Sequence, residues 1–196
     1  MTRGPLLLSL WLGLASAADA PAWALPTREA GPGVAANAPI LVLRWRTFAP
    51  PGGRFSVLLP TPRSKSIAVP SGVGYLYTCK AGDLGYIVQY NDSSPDIVRD
   101  LGAKKVLMIF DNAFLHAGHK RLVRRSLVTR GGYPGERIDA LRSRGRQERS
   151  CAYLVGNRLY RLVALCPTGD AAAETDADRF LNSFTPTPAA SPNAAR

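Results

Sequence analysis

Histidine and cysteine are scarce in this chain, and the usual nucleophile and phosphate motifs are missing. The two histidines, His116 and His119, stand three positions apart near an expected helix end. A metal would need both to reach one point. Gly118 is expected to end the helix between them, and only Asp111 and Asn112 stand at a helical spacing on that side, so no metal site is expected. No Gly-x-Ser-x-Gly elbow occurs, which argues against a serine hydrolase built on that turn. Ser71-Gly72-Val73-Gly74 lacks both the lysine and the glycine spacing of a phosphate-cradling loop. A cysteine nucleophile needs a base beside it, whereas Cys79, Cys151 and Cys166 all fall in strand patterns that suit inert buried thiols. Asp83, Asp92, Asp96, Asp100 and Asp111 each have an ordinary turn, capping or surface role. Neither a catalytic residue nor a cofactor is expected.

Long apolar runs are also lacking, apart from one at the start. Arg3 supplies a positive charge, Leu6 to Leu14 is a short apolar stretch, and Ala15-Ser16-Ala17 is a small-x-small cleavage site. That is the pattern of a secretory signal peptide, too short for a stable membrane-spanning helix. Cleavage is expected after Ala17. The alternative after Ala20 would leave Pro21 at the new N-terminus, which signal peptidases handle poorly. No cysteine follows the apolar stretch to take a lipid, and no transmembrane segment is expected in the mature chain. The expected destination is therefore periplasmic or extracellular. Residues 18–39, rich in Ala, Pro and Gly, form an expected flexible leader. A single domain over residues 40–184 and a disordered tail over residues 185–196 complete the expected organisation.

Positive charge dominates what remains. The formal net charge is +11, carried by twenty arginines and five lysines. The arginine bias, with abundant Ala, Gly and Pro, also fits a GC-rich genome. As a functional feature it suits an anionic partner, such as a cell-envelope polymer or a membrane surface. Nucleic acid is the least natural partner for an exported protein.

The best-specified stretch is SCAYLVGNRLYRLVALCP, Ser150 to Pro167. Gly156-Asn157 suits the two-residue turn of a β-hairpin, because both residues tolerate positive φ. That turn sets Tyr153 against Tyr160 and Cys151 against Leu162. One face then holds Cys151, Tyr153, Val155, Tyr160, Leu162, Ala164 and Cys166; the other holds Ala152, Leu154, Leu159, Val163 and Leu165, with Arg161 among them. Both faces are mostly apolar, so the pair is expected at the centre of a covered sheet. Gly156, Asn157 and Arg158 are expected to make a structural turn followed by a solvent-facing charge. In this register Cys151 and Cys166 lie about 13 Å apart, beyond the roughly 7 Å a disulfide spans. Any bridge would use Cys79; three reduced, buried thiols are the alternative.

In chain order, residues 40–45 predict a first strand, residues 55–59 a second closed by Pro60, residues 61–66 a loop and residues 67–69 a short strand. Residues 74–80 and 84–91 predict a second hairpin around Ala81-Gly82-Asp83, which gathers Tyr75, Tyr77, Tyr86 and Tyr90 with the hairpin tyrosines. Such a cluster is a sheet core or, alternatively, a ligand wall. Ser94 and Pro95 start a helix, interrupted at Gly102. It resumes from Ala103 to Ala117 on a face of Val106, Phe110, Ala113, Phe114 and Ala117. Residues 120–130 predict a basic strand and residues 131–135 a turn. Residues 136–143 and 147–155 complete a four-stranded meander with the hairpin. Asp170 caps a last helix with an apolar face of Ala173, Ala177, Phe180, Leu181 and Phe184. The class is α+β: an antiparallel sheet of about six to eight strands packed by two or three helices.

Trp45 and Phe48, residues 52–60 (GGRFSVLLP), residues 131–136 (GGYPGE), residues 153–160 (YLVGNRLY) and residues 177–184 (ADRFLNSF) together resemble a group of small exported bacterial proteins. More distantly the chain is similar to the Mog1/PsbP-type α/β/α sandwich. The resemblance implies an accessory or binding protein rather than an enzyme, and brings no catalytic residues. The candidate anion-binding set is Lys120, Arg121, Arg124, Arg125, Arg142, Arg144, Arg146 and Arg149, whose guanidinium forks suit carboxylate and phosphate. The bland reading of these charges is protection of exposed strand edges. The expected function is an exported accessory or binding domain, whose partner is an anionic surface or another exported protein. The alternative is a small exported enzyme with a Tyr/Arg-lined pocket.

Overall fold

Strand-forming sequence with apolar residues on both faces needs cover on both sides, and the computed structural model supplies it. The structure describes residues 44–61, 64–65, 74–117 and 120–187. In order these form β1 (Arg44–Phe48), β2 (Phe55–Thr61), β3 (Ser64–Lys65), β4 (Gly74–Ala81), β5 (Leu84–Asp92), α1 (Pro95–His116), β6 (Arg121–Arg130), β7 (Tyr133–Arg142), β8 (Arg146–Val155), β9 (Arg158–Pro167), α2 (Ala171–Asn182) and β10 (Thr185–Pro186). Seven strands make one antiparallel sheet in the order β3-β4-β5-β9-β8-β7-β6, and three make a second in the order β1-β2-β10. The α+β expectation of an antiparallel sheet packed by helices holds.

The β8–β9 hairpin occupies the predicted register, with Tyr153 opposite Tyr160, Cys151 opposite Leu162 and Gly156 at φ +62°. One face of the large sheet carries Tyr86, Val88, Tyr90, Cys151, Tyr153, Tyr160, Leu162 and Cys166. It packs on α2 and on Phe55, Val57 and Leu59 of the small sheet. The opposite face carries Ala152, Leu154 and Leu159 and packs on Val106, Leu107 and Phe110 of α1. Phe180, buried with its ring centroid 5.1 Å from that of Tyr86, and Phe184, stacked 5.0 Å from Tyr153, close the larger core. Each contributes roughly 2 kcal/mol of burial. Asp170 caps α2 as expected: its Oδ1 accepts from the Ala172 and Ala173 N–H groups at 3.1 and 3.0 Å. The three cysteines are buried and unbridged.

Several boundaries move for physical reasons. The first strand is residues 44–48 rather than 40–45, and residues 40–43 lie outside the described set, as do the expected signal peptide, the leader and the strand at residues 67–69. β2 runs through Pro60. Because β10 pairs only with Phe55 and Ser56, the Pro60 end of β2 has a neighbour on one side, where a missing N–H is tolerated. Ser64–Lys65, expected in a loop, pair with Cys79 and Thr78. Thr185–Pro186, expected to begin a loose tail, add a strand to β2, and the Thr187 N–H donates to Arg54 O at 2.9 Å. Gly102, at φ +75°, kinks α1 where a break was predicted, but Ser94 makes no side-chain cap bond. The buried face of α1 is Val106, Leu107, Phe110 and Asp111, while Ala113, Phe114 and Ala117 are half-buried.

The stretch 131–135 is the clearest correction. Only Gly131 and Gly132 turn, at φ +57° and +81°, and Tyr133-Pro134-Gly135 already belongs to β7. Gly135 is needed for closeness, not for a bend: a Cβ there would meet Ala152 O at 2.4 Å and the Tyr153 ring at 2.5 Å. Gly135→Ala should therefore destabilise the protein by about 1–3 kcal/mol through overpacking, read as a lower urea midpoint. An unchanged midpoint would show that β7 and β8 can separate freely there.

Candidate functional site

The eight basic residues of the predicted set do not share one surface. Strand register divides them between the two sheet faces, and four of the eight are held by acidic side chains of the protein itself. On the α1 face, Lys120 Nζ lies 2.8 Å from Glu148 Oε2 and 3.3 Å above the Phe114 ring, with its side chain 2% exposed. Arg142 Nη1 donates to Glu148 Oε1 at 2.8 Å. Arg125 Nε donates to Glu136 Oε2 at 3.0 Å, and its Nη2 donates to Asn112 Oδ1 at 3.3 Å. On the α2 face, Arg149 reaches Glu174 Oε2 and Asp178 Oδ2, each at 2.9 Å. Arg146, directly opposite Arg142 in the register and so on the α1 face, donates from Nη2 to Asp83 O at 2.7 Å. Arg144 sits in the β7–β8 turn at φ +61° and is exposed.

Arg121 and Arg124 differ from these. Both are exposed on β6 and make no ion pair among the described residues. Among the described residues β6 is the outermost strand of the large sheet, bonded to β7 on one side only. Its sequence RLVRRSLVTR holds four arginines and no acid. Between the arginines, Leu122, Val123 and Leu127 are 42%, 57% and 73% exposed.

Three charged groups, Arg161, Arg158 and Asp111, take roles other than those expected from sequence, Asp111 being buried rather than in an ordinary turn, capping or surface place. Arg161, in the middle strand β9, is fully buried between the Phe110 and Phe114 rings, with centroids 4.3 and 4.1 Å away. Its Nη2 donates to Asp111 Oδ1 at 2.5 Å. The signal was present, since Arg161 is the lone charge on an apolar hairpin face, but its partner lies 50 residues away on a helix. Arg158, expected to face solvent, grips Asp92 with Nε and Nη2 at 2.6 Å each. It also donates from Nη1 to Gly52 O at 2.7 Å. The hairpin turn thereby ties down the start of β2. Burial pushes the Asp111 carboxyl up to about 7, with Arg161 opposing and neighbouring Glu136 adding to the rise. Burial also pulls Lys120 down, with Glu148 opposing.

Four of the six gathered tyrosines belong to the core, whereas Tyr75 is exposed and Tyr77 half-buried, both ranged beside Tyr90 with ring centroids 5.1 and 6.3 Å from it. Tyr86, Tyr90, Tyr153 and Tyr160 are buried among Phe55, Phe180 and Phe184, and the Tyr160 hydroxyl donates to Gly53 O at 2.9 Å. Burial pushes Tyr153 up to about 12. A depression beside the Gly102 kink is lined by Leu101, Ala103, Lys104, Lys105 and Met108, none of them an acid, thiol or imidazole. Among the described residues no group of three or more His, Cys, Asp or Glu side chains is placed to hold a metal ion. His116 is exposed at the end of α1, and His119 lies outside the described residues. No described helix is long and apolar enough to cross a membrane.

No family model matches the sequence, and no curated protein matches it. Among solved structures, cyanobacterial PsbP from Synechocystis aligns with a TM-score of 0.55 at 16% identity, covering 79% of this chain and 98% of that one. The fold is PsbP-like. A Bacteroides thetaiotaomicron protein aligns at TM-score 0.45 and 14% identity over 71% of this chain and 47% of its own. A Pseudomonas aeruginosa protein of unknown function aligns at 0.39 and 10% identity over 67% and 88%.

Asp111 makes a pH dependence predictable. Its folded carboxyl keeps a proton up to about pH 7, where the unfolded carboxyl, with the ordinary value of 3.8, has already lost it. The folded state therefore binds more protons between those values, and this contribution to stability falls as pH rises. Urea midpoints measured between pH 4.5 and 7.5 (roughly the span between the two values) should fall more in the parent protein than in Asp111→Asn. Asp111→Ala, which strands the Arg161 charge, should cost about 3–5 kcal/mol. Parallel pH profiles for the parent and Asp111→Asn would refute the assignment.

Proposed function

We propose that the protein is an exported, non-enzymatic accessory domain that binds an anionic partner through β6. Arg121 and Arg124 carry the reading: they are exposed, cationic and unclaimed, whereas Lys120, Arg125, Arg142, Arg146 and Arg149 are each held within the protein. A guanidinium already bonded to a buried carboxylate gains little from a second anion, so only the unclaimed ones offer new charge-assisted bonds. Export is supported by the Arg3, Leu6–Leu14 and Ala15-Ser16-Ala17 pattern, and membership of the exported bacterial group by the residues 153–160 motif. A PsbP-like fold suits an accessory role by analogy of architecture alone. The cell-envelope polymers and membrane surfaces outside the cytoplasm offer the required charge.

The test is retention of the mature chain on a heparin column. The Arg121→Glu/Arg124→Glu variant should elute at clearly lower salt than the parent. Lys104→Glu/Lys105→Glu changes the net charge equally on the exposed surface of α1 and should shift elution much less. Both variants should stay within about 0.5 kcal/mol of the parent in stability, because they alter exposed side chains. Equal shifts in the two variants would mean that only overall charge is sensed, and the β6 reading would fail.

A further inference from the structure

We infer that β6 accepts an extended acidic segment of another polypeptide as an eighth strand of the large sheet. This deepens the reading of β6 as the anion-binding edge and rests on it. The first support is the backbone. One side of β6 bonds to β7 and the other has no strand partner among the described residues, which leaves a row of N–H and C=O groups facing outward. The register shifts between Leu122 and Arg124, so Val123 is an extra residue and the regular edge runs over residues 124–130. Seven residues match the length of an ordinary added strand.

The second support is how the side chains alternate. Arg121 and Arg124 oppose Leu141 and Asp139 of β7, whereas Leu122 and Leu127 oppose Ala140 and Glu136. The two pairs therefore stand on opposite faces of the sheet. Over the regular edge one face presents Arg124, Ser126, Val128 and Arg130 and the other Arg125, Leu127 and Thr129, so a strand laid along it would set acids beside Arg124 and Arg130 and an apolar residue beside Leu127 on the opposite face. The fitting partner thus alternates acidic with apolar residues. A lipid headgroup or a glycan would use the arginines and leave the backbone row and Leu127 unsatisfied. A second copy of this chain fits poorly: two β6 edges would bring their arginine rows together, and facing like charges destabilise a strand pair. Edge protection alone does not account for Leu127 at 73% exposure, because a protected edge keeps large apolar groups off its rim.

The experiment selects binders to the mature chain from a displayed octapeptide library. The best sequence is then resynthesised with alternate backbone amides N-methylated. Strand addition predicts selected sequences in which acidic and apolar residues alternate. It predicts an affinity loss of at least about tenfold on N-methylating the edge-facing amides, since several backbone bonds vanish together. It also predicts slowed amide hydrogen exchange in the complex, confined to residues 124–130. Arg124→Glu and Leu127→Asp should each weaken binding. Because the N-methylated peptide leaves the protein unaltered, the test does not depend on either variant folding. Recovery of no binder, binders indifferent to N-methylation, exchange slowed elsewhere, or a β6-paired dimer would each overturn the inference. If heparin retention still depends on Arg121 and Arg124 while no peptide binds by its backbone, strand addition fails and the anion-binding reading stands. If neither depends on those residues, both fail.

Discussion

The structure turns on a buried charge. Arg161 projects from the middle strand into the contact between the large sheet and α1, with its side chain 2% exposed. A guanidinium there must be paired and enclosed, because an isolated buried charge is prohibitively costly. Asp111 supplies the hydrogen-bonding partner, which becomes a full counter-charge as its carboxyl ionises near pH 7, and the Phe110 and Phe114 rings enclose the guanidinium. Three residues in the second half of one helix are thus assigned by one strand residue, Phe110 and Phe114 one turn apart with Asp111 between them, and Asn112 next to them accepts from Arg125. Helix α1 is apolar on more than one side, with Leu101, Met108 and Ile109 exposed as well as Val106 and Leu107 buried. Hydrophobicity alone would leave its rotation about its own axis poorly specified. The ion pair specifies it, in the way buried polar groups fix register elsewhere.

The same logic extends outward across that face. Glu136 and Glu148 stand beside Asp111 and Arg161 on β7 and β8, and each needs a cation once buried. Arg125 serves the first; Lys120 and Arg142 serve the second. On the α2 face Arg149 and Arg137 do the same for Asp178. Several of the cations are therefore occupied inside the fold, some of them holding a helix to the sheet. Part of the remaining charge lies past the last buried acid, on β6. The proposal for β6 follows from bonding geometry: the strand that ends the described sheet is where both backbone groups and charges are left over.

A second anchor works at the other end of the hairpin. Arg158, Asn157 and Tyr160 bond to Asp92, Ser93, Gly52 and Gly53, joining the hairpin turn to the end of β5 and the start of β2. Tyr160 lies between both anchors, buried against Phe55 and Phe184 with its hydroxyl on the loop backbone. The small sheet is thereby fixed over the larger core.

What the amino-acid sequence determined by itself was local. The Gly156-Asn157 turn set the β8–β9 register, since a two-residue loop with positive φ leaves only one pairing. Period-2 alternation divided the hairpin into its two faces, and 3.6-residue periodicity with Asp170 found α2. Gly102 marked the kink in α1. Those signals act over a few residues, and each has one low-energy answer. Tertiary structure alone decided the pairings over long separations: Arg161 with Asp111, Arg158 with Asp92, Arg149 with Glu174 and Asp178. It also decided that Gly135 serves close strand contact rather than a turn, and that Thr185–Pro186 finish the small sheet. The set of free cations was invisible in the sequence for the same reason. Whether an arginine is available depends on whether folding brings a carboxylate to it, and for the candidate set and Arg158 the carboxylates come from positions 6 to 66 residues away in the chain.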